Sequence, residues 1–230
     1  MAKRQIAIIE DEQVIRENYT DYLTRQGYSV AGYASRQQAL SAFAATLPDL
    51  VILDIGLDDD VDGGFELCRE LRSRSATLPI IFLTARDSDF DTVAGLRLGA
   101  DDYISKEISL PHLVARIAAL FRRMAAMQEQ HPQQEPLHRN ELTMDTESLL
   151  ADWRGTPLNL TVTEFWMLHA LVRHPGHVRS REQLMEEANI YVDSSSITTH
   201  IKRMRRKFQE IDPEFEHIDS VYGAGYRWKP

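Results

Sequence analysis

Five side chains suited to handling a phosphoryl group stand at the ends of four separate apolar runs. Glu10 and Asp11 follow Ile6-Ala7-Ile8-Ile9, and Asp54 follows Leu50-Val51-Ile52-Leu53. Thr84 follows Ile80-Ile81-Phe82-Leu83, and Lys106 follows Tyr103-Ile104-Ser105. Three carboxylates offer the hard oxygen ligands that a divalent cation prefers. A hydroxyl and an ammonium can hold an oxyanion. Gathered in one crevice, this set suits phosphoryl transfer onto an aspartate, with Asp54 as the nucleophile. None of the five is informative singly, since a lone Asp before a loop is usually a helix cap and a lone lysine is usually a surface residue.

The runs that must position these groups are short, apolar throughout and rich in β-branched residues, which reads as buried parallel strands. Strands are expected over 5–10, 28–33, 49–54, 79–84 and 101–105, with helices over 12–26, 35–46, 63–74, 87–98 and 109–125. Each strand–helix–strand unit has the length that a right-handed crossover requires. The fold expected for residues 1–125 is α/β, a five-stranded doubly wound parallel sheet of flavodoxin-like type. Ligands of such sheets bind outside the carboxyl ends of the strands, where the five residues would converge.

The order and spacing of these residues resemble the receiver domain of bacterial response regulators. The resemblance implies that Asp54 accepts a phosphoryl group from the phosphohistidine of a sensor histidine kinase. It implies a Mg²⁺ ion on Glu10, Asp11, Asp54 and the Gly56 backbone carbonyl, with Thr84 and Lys106 binding phosphoryl oxygens. Tyr103 matches the family's switch aromatic, which turns as the threonine hydroxyl shifts, a local charge event that biases a two-state element. The face formed by the fourth helix, fifth strand and fifth helix matches the family's dimer surface. Its residues here are Arg97, Asp101, Asp102 and Arg116, with Asp101 or Asp102 expected to pair with Arg116 across a two-fold axis.

The chain departs from the family pattern in three places. Glu107 stands where a proline usually follows the lysine, and because a non-proline cis bond costs about 2.5–4 kcal/mol, a trans bond is expected. The loop Leu57-Asp58-Asp59-Asp60-Val61-Asp62-Gly63-Gly64 is longer, more acidic and lacks the family's proline, and it reads as a solvated loop. Thr92 and His112 replace a base–acid pair that commonly crosses the dimer.

Residues 126–136 are rich in Gln, Glu and Pro and read as a linker. Residues 137–230 change character, with short strand-like pieces over 137–143, 149–153 and 156–160. A helix follows over 163–174, with Thr161 or Thr163 as N-cap. A second starts near Ser180, and a third spans 194–209 with Ile197, Ile201, Met204 and Phe208 on one stripe. A hairpin around Gly223-Ala224-Gly225 closes the chain.

This half resembles the winged helix-turn-helix output domain of the OmpR/PhoB type. The resemblance rests on Leu160-Thr161-Val162-Thr163-Glu164-Phe165, on the 175–181 block and on 221–227. It implies a dimer on promoter DNA, with the third helix in the major groove. Ser196, Thr199, His200 and Arg203 are the implied base-edge residues, Arg203 able to take a guanine bidentately. Lys202, Arg205, Arg206 and Arg179 are implied phosphate contacts, and Tyr222 and Arg227 belong to the wing. The loop over 188–193 matches a surface that faces RNA polymerase.

Composition narrows the function classes. The 230 residues carry a formal charge of −9 and 43% hydrophobic residues. That charge argues against broad nucleic-acid affinity, yet five of the six residues from Lys202 to Lys207 are basic, a concentration that suits a polyanion partner. The single cysteine, Cys68, excludes an intramolecular disulfide and reads as a structural thiol. No apolar run approaches the ~20 residues of a membrane span, and Met1-Ala2-Lys3-Arg4 lacks a signal-peptide pattern, so a cytoplasmic protein is expected. The leading reading is a regulator of transcription rather than an enzyme. Alternatives are a DNA-binding regulator controlled independently of phosphorylation, motivated by Glu107 and the acidic loop, and a protein-binding module with a weakened DNA-reading half. A stand-alone phosphatase would need a general base that the chain does not offer.

Overall fold

The computed structural model describes residues 3–57, 62–86, 88–129, 136–188 and 194–230. The chain divides into two compact units, Met1–Ile117 and Ala118–Pro230.

In the first unit, β1 (Gln5–Ile9), β2 (Ser29–Tyr33), β3 (Leu50–Leu53), β4 (Ile80–Thr84) and β5 (Asp102–Ser105) form one parallel sheet in the order β2-β1-β3-β4-β5. The helices α1 (Gln13–Arg25), α2 (Arg36–Ala42), α3 (Gly63–Arg74), α4 (Asp89–Leu98) and α5 (Leu110–Glu129) alternate with the strands. Every residue of β3 and β4 is buried, as the unbroken apolar runs require of strands covered on both faces. β2 lies at the edge and is half exposed. Two serines set helix starts: Ser35 accepts from the Gln38 amide and Ser88 from the Asp91 amide. Cys68 is fully buried on α3 between Leu67 and Leu71, as a structural thiol. α5 continues to Glu129, four residues beyond the expected end, because Ala125-Ala126-Met127-Gln128-Glu129 consists of good helix formers. The linker residues 130–135 lie outside the described residues.

The second unit opens with a four-stranded antiparallel sheet, β6 (Leu137–Arg139), β7 (Leu142–Asp145), β8 (Leu150–Trp153) and β9 (Thr156–Pro157). The expected strand over 137–143 is in fact a hairpin. Asn140 turns the chain with φ 52°, a conformation asparagine tolerates better than most residues. Three helices follow: α6 (Val162–Val172), α7 (Arg181–Glu187) and α8 (Ser194–Gln209). The hairpin β10 (Ile218–Val221) and β11 (Gly225–Trp228) closes the unit. Thr161, rather than Thr163, caps α6 in a capping box with Glu164. The aromatic core joins Trp153, Phe208, Phe215 and Trp228, with Phe208 and Phe215 stacked 4.0 Å apart. No helix among the described residues is long and apolar enough to cross a membrane.

Candidate phosphoryl-acceptor site and nucleic-acid interface

The strand register brings the acidic pair, the aspartate and the lysine together. The Asp54 amide bonds the Ile9 carbonyl at 2.9 Å, so β3 delivers Asp54 beside the end of β1. The Lys106 amide bonds the Thr84 carbonyl at 2.8 Å, so β5 delivers the lysine beside the end of β4. Lys106 Nζ then reaches across the sheet to donate to Asp54 Oδ2 at 2.7 Å and to Glu10 Oε1 at 2.9 Å. Carboxylate oxygens of Glu10, Asp11 and Asp54 lie within 4.8 Å of one another. Asp54 Oδ1 accepts from the Ile55 amide at 2.7 Å, which fixes the rotamer and leaves Oδ2 to the lysine. The expected trans geometry at Lys106–Glu107 is observed, since no described peptide bond is cis, and it still places the ammonium on both acids.

The electrostatics are those of a site short of positive charge. Burial pushes the Glu10 carboxyl up to about 7; Asp54 and Asp11 add to the rise, and Lys106 opposes it. Burial alone would lower Lys106, but its bonds to Asp54 and Glu10 outweigh burial and hold it above its ordinary value. Hard carboxylate oxygens converging around one lysine fit a small divalent cation. Asp11 is exposed, whereas Glu10 and Asp54 are buried, so the cluster opens to solvent on one side.

Thr84 is buried, and its Oγ1 accepts from the Arg86 amide at 3.2 Å. Tyr103 is half-buried and donates its hydroxyl to the Arg86 carbonyl at 2.6 Å, so both residues of the expected switch meet the same residue's backbone. The Arg86 side chain pairs with Asp62 at 3.1 Å and with Asp91. Gly56 is half-buried on the loop after Asp54. Gly64 packs so closely that a Cβ would stand 2.0 Å from the Asp54 carbonyl oxygen, and any side chain there would displace the acceptor's own backbone. Residues 58–61 of the acidic loop lie outside the described residues.

Asp101 and Asp102 have different partners within the chain. Asp101 is completely buried, paired with Arg72 at 2.7 Å and accepting the Ile80 amide at 3.1 Å. Asp102 meets Arg116 at 2.8 Å within the same chain. Arg97 is exposed.

The base-edge assignments on α8 need correcting. Ser196, Thr199, His200 and Arg203 recur three or four residues apart and form a second buried stripe beside Ile197, Ile201, Met204 and Phe208. Arg203 is only 4% exposed, and its Nε lies 3.0 Å from Glu164 Oε1. Lys207 reaches Glu164 Oε2 at 2.6 Å. Burial raises the Glu164 carboxyl, but Arg203 and Lys207, with the Thr161 amide, outweigh it and hold it at about 2. Arg203 is therefore held by a buried carboxylate and is not presented to a base. The apolar stripe pointed correctly to one inward face, but the buried Glu164 of the mostly apolar α6 draws two α8 cations inward as well.

Lys202 and Arg206 are the exposed cations of α8, and Arg206 meets Glu210 at 3.6 Å with both side chains largely in solvent. Arg205 is half-buried and engaged with β10. Arg179 pairs with Glu187 at 3.1 Å, and Arg227 with Asp219 at 2.8 Å. Tyr222 is fully exposed at the hairpin tip. Of the loop over 188–193, expected to face RNA polymerase, residues 189–193 lie outside the described residues.

Comparison with known proteins follows the same two halves. Residues 6–118 match the response regulator receiver domain, and residues 155–228 match the transcriptional regulatory protein, C terminal. The chain is 38% identical to the transcriptional regulatory protein BaeR of Escherichia coli O6:H1 over 230 residues, covering 98% of this chain and 92% of that one. It is 34% identical to the transcriptional regulatory protein CreB of Escherichia coli K12, covering 98% of both. A structure of a RitR mutant superposes with a TM-score of 0.79 at 24% identity, covering 98% of this chain and 99% of that one, a likeness of fold. The two matches and the two relatives cover both halves, and the chain belongs to the OmpR/PhoB-type response regulators, proteins that regulate transcription under the control of receiver phosphorylation.

Proposed function

We propose that Asp54 is the phosphoacceptor and that a sensor histidine kinase is its donor. The carrying observation is the Lys106 ammonium bonded at once to Asp54 and Glu10, beside a third carboxylate. In the transfer an Asp54 oxygen forms the new bond to phosphorus while the bond to the donor imidazole nitrogen breaks. Lys106 and Thr84 neutralise and orient the phosphoryl oxygens. Glu10, Asp11, Asp54 and the Gly56 carbonyl would hold Mg²⁺, which when bound offsets repulsion between the carboxylates and the incoming group. The protein is the final acceptor and acts as a cytoplasmic regulator rather than as a turnover enzyme.

In this reading the modified protein forms a homodimer through the face of α4, β5 and α5 that carries Arg97, Asp102 and Arg116, and binds promoter DNA with RNA polymerase as the downstream partner. Lys202 and Arg206 contact phosphates, Arg179 and Arg227 can join them once released from their carboxylates, and Tyr222 lies at the wing tip. The test is size-exclusion chromatography with light scattering, with and without beryllofluoride and Mg²⁺. Wild type shifts from monomer to dimer and Asp54→Ala does not. A dimer formed equally by both proteins, or no shift in wild type, contradicts the reading.

A further inference from the structure

The basic run on α8 faces three ways. Arg203 and Lys207 turn inward to Glu164, Lys202 and Arg206 face solvent, and Arg205 does neither. Arg205 Nε donates to the Ile218 carbonyl at 2.9 Å, and Nη2 donates to Ser220 Oγ at 2.9 Å. Ser220 pairs in register with Tyr226 on the opposite strand. The Tyr226 hydroxyl hydrogen-bonds Thr198 Oγ1 at 3.1 Å. One rung of the hairpin is thus gripped at both ends by two α8 residues seven positions apart, one above the other on the helix. The Arg179 amide and carbonyl pair with the Tyr226 carbonyl and amide at 2.7 and 2.9 Å. Gly225 is packed so tightly there that a Cβ would lie 2.0 Å from the Arg179 carbonyl oxygen.

We propose that Arg205 is a positioning residue for DNA binding rather than a phosphate contact: its guanidinium, together with the Thr198–Tyr226 pair, locks the β10–β11 hairpin to α8 so that helix and wing present one rigid surface to a duplex. A planar guanidinium with two of its donors committed to a carbonyl and a hydroxyl is pre-organised for such a tie. The exposed neighbours Lys202 and Arg206 supply the ionic contacts. The proposal rests on the DNA-binding reading above and assigns a distinct role to one residue within it.

Salt dependence separates the roles, because removing a cation that neutralises one phosphate flattens the plot of log affinity against log salt by about 0.9. The experiment uses full-length protein with beryllofluoride and Mg²⁺, and a duplex selected by wild type from a random-sequence pool. Affinities of wild type, Arg205→Gln, Arg206→Gln and Ser220→Ala are measured over a range of KCl. Arg206→Gln flattens the slope. Arg205→Gln weakens binding about tenfold at every salt concentration, a parallel shift corresponding to about 1.4 kcal/mol, and Ser220→Ala gives a smaller parallel shift. Were Arg205→Gln too unstable to purify, Ser220→Ala and Tyr226→Phe, which remove only hydroxyls, would carry the test with parallel losses. A slope flattened by Arg205→Gln as much as by Arg206→Gln would overturn the proposal, as would wild-type affinity in Arg205→Gln or in both hydroxyl variants. Failure of wild type to select any duplex would refute the DNA-binding reading itself, and the proposal with it.

Discussion

Two charge clusters in this molecule are built from the same kinds of side chain and have opposite electrostatic outcomes. In the first unit Lys106 serves Glu10 and Asp54 together, with Asp11 nearby, and the Glu10 carboxyl is driven up to about 7. In the second unit one carboxylate, Glu164, is served by two cations, Arg203 and Lys207, and is held at about 2 although wholly buried. The excess of acid at the strand ends leaves a site that gains from a further cation and from a group that Lys106 can pair with. The excess of base around Glu164 leaves nothing to be bound; it fixes the rotation of α8 against α6. A charged cluster at the mouth of a sheet and short of counter-charge is poised to react, whereas a buried one with cations in excess specifies structure.

The largest expected effect comes from unbalancing the buried cluster. Glu164→Gln removes the buried carboxylate that holds Arg203 and Lys207 and should cost about 3–5 kcal/mol, read by urea denaturation of the full chain. A variant carrying Glu164→Met, Arg203→Met and Lys207→Met should recover much of that loss, since well-packed apolar groups replace buried ion pairs at little cost. Lys106→Met provides the contrast: any stability it loses should be regained on adding Mg²⁺, because a cation replaces a cation, whereas the loss in Glu164→Gln should not respond to Mg²⁺.

The pH responses of the clusters should run in opposite directions. With Glu10 at about 7, protons compete with a cation, and Mg²⁺ affinity should be about tenfold weaker near about pH 6 than near about pH 8. Isothermal titration calorimetry measures this, and Glu10→Gln should flatten the dependence. Ionising Glu10 costs stability as pH rises from its ordinary range through about 7. Glu164 does the reverse: its contribution is complete above the ordinary carboxylate range and is lost as pH falls toward about 2. The smallest effect is at the Asp102–Arg116 pair, whose arginine is partly exposed and whose aspartate keeps the Tyr103 amide as a donor. Arg116→Ala should change monomer stability by no more than about 1 kcal/mol, measured by thermal unfolding, while reducing the beryllofluoride-induced dimer.

The strand-end site was legible in the sequence because a parallel strand buried on both faces advertises itself as an apolar run, and its first polar residue falls at the sheet's mouth. Glu10, Asp54 and Thr84 were placed by that rule; Lys106, which follows Ser105 on the half-buried β5, needed the family resemblance as well. The roles of the α8 residues were not legible to the same degree. The stripe Ile197, Ile201, Met204 and Phe208 correctly identified one buried face, but an amphipathic pattern cannot report that a glutamate on another helix draws Arg203 and Lys207 inward. Nor can it report that a hairpin far along the chain claims Arg205. The partner of Asp101 was not legible for the same reason, since Arg72 lies on α3, 29 residues away. Long-range ion pairs carry no periodic signature.

The most direct test of the account is intact-mass spectrometry after incubation with Mg²⁺ and a small-molecule phosphodonor, for wild type, Asp54→Asn and Lys106→Met. Wild type should gain one phosphoryl group, Asp54→Asn none, and Lys106→Met should label more slowly or weakly. Equal labelling of Asp54→Asn, or no labelling of wild type, would contradict it.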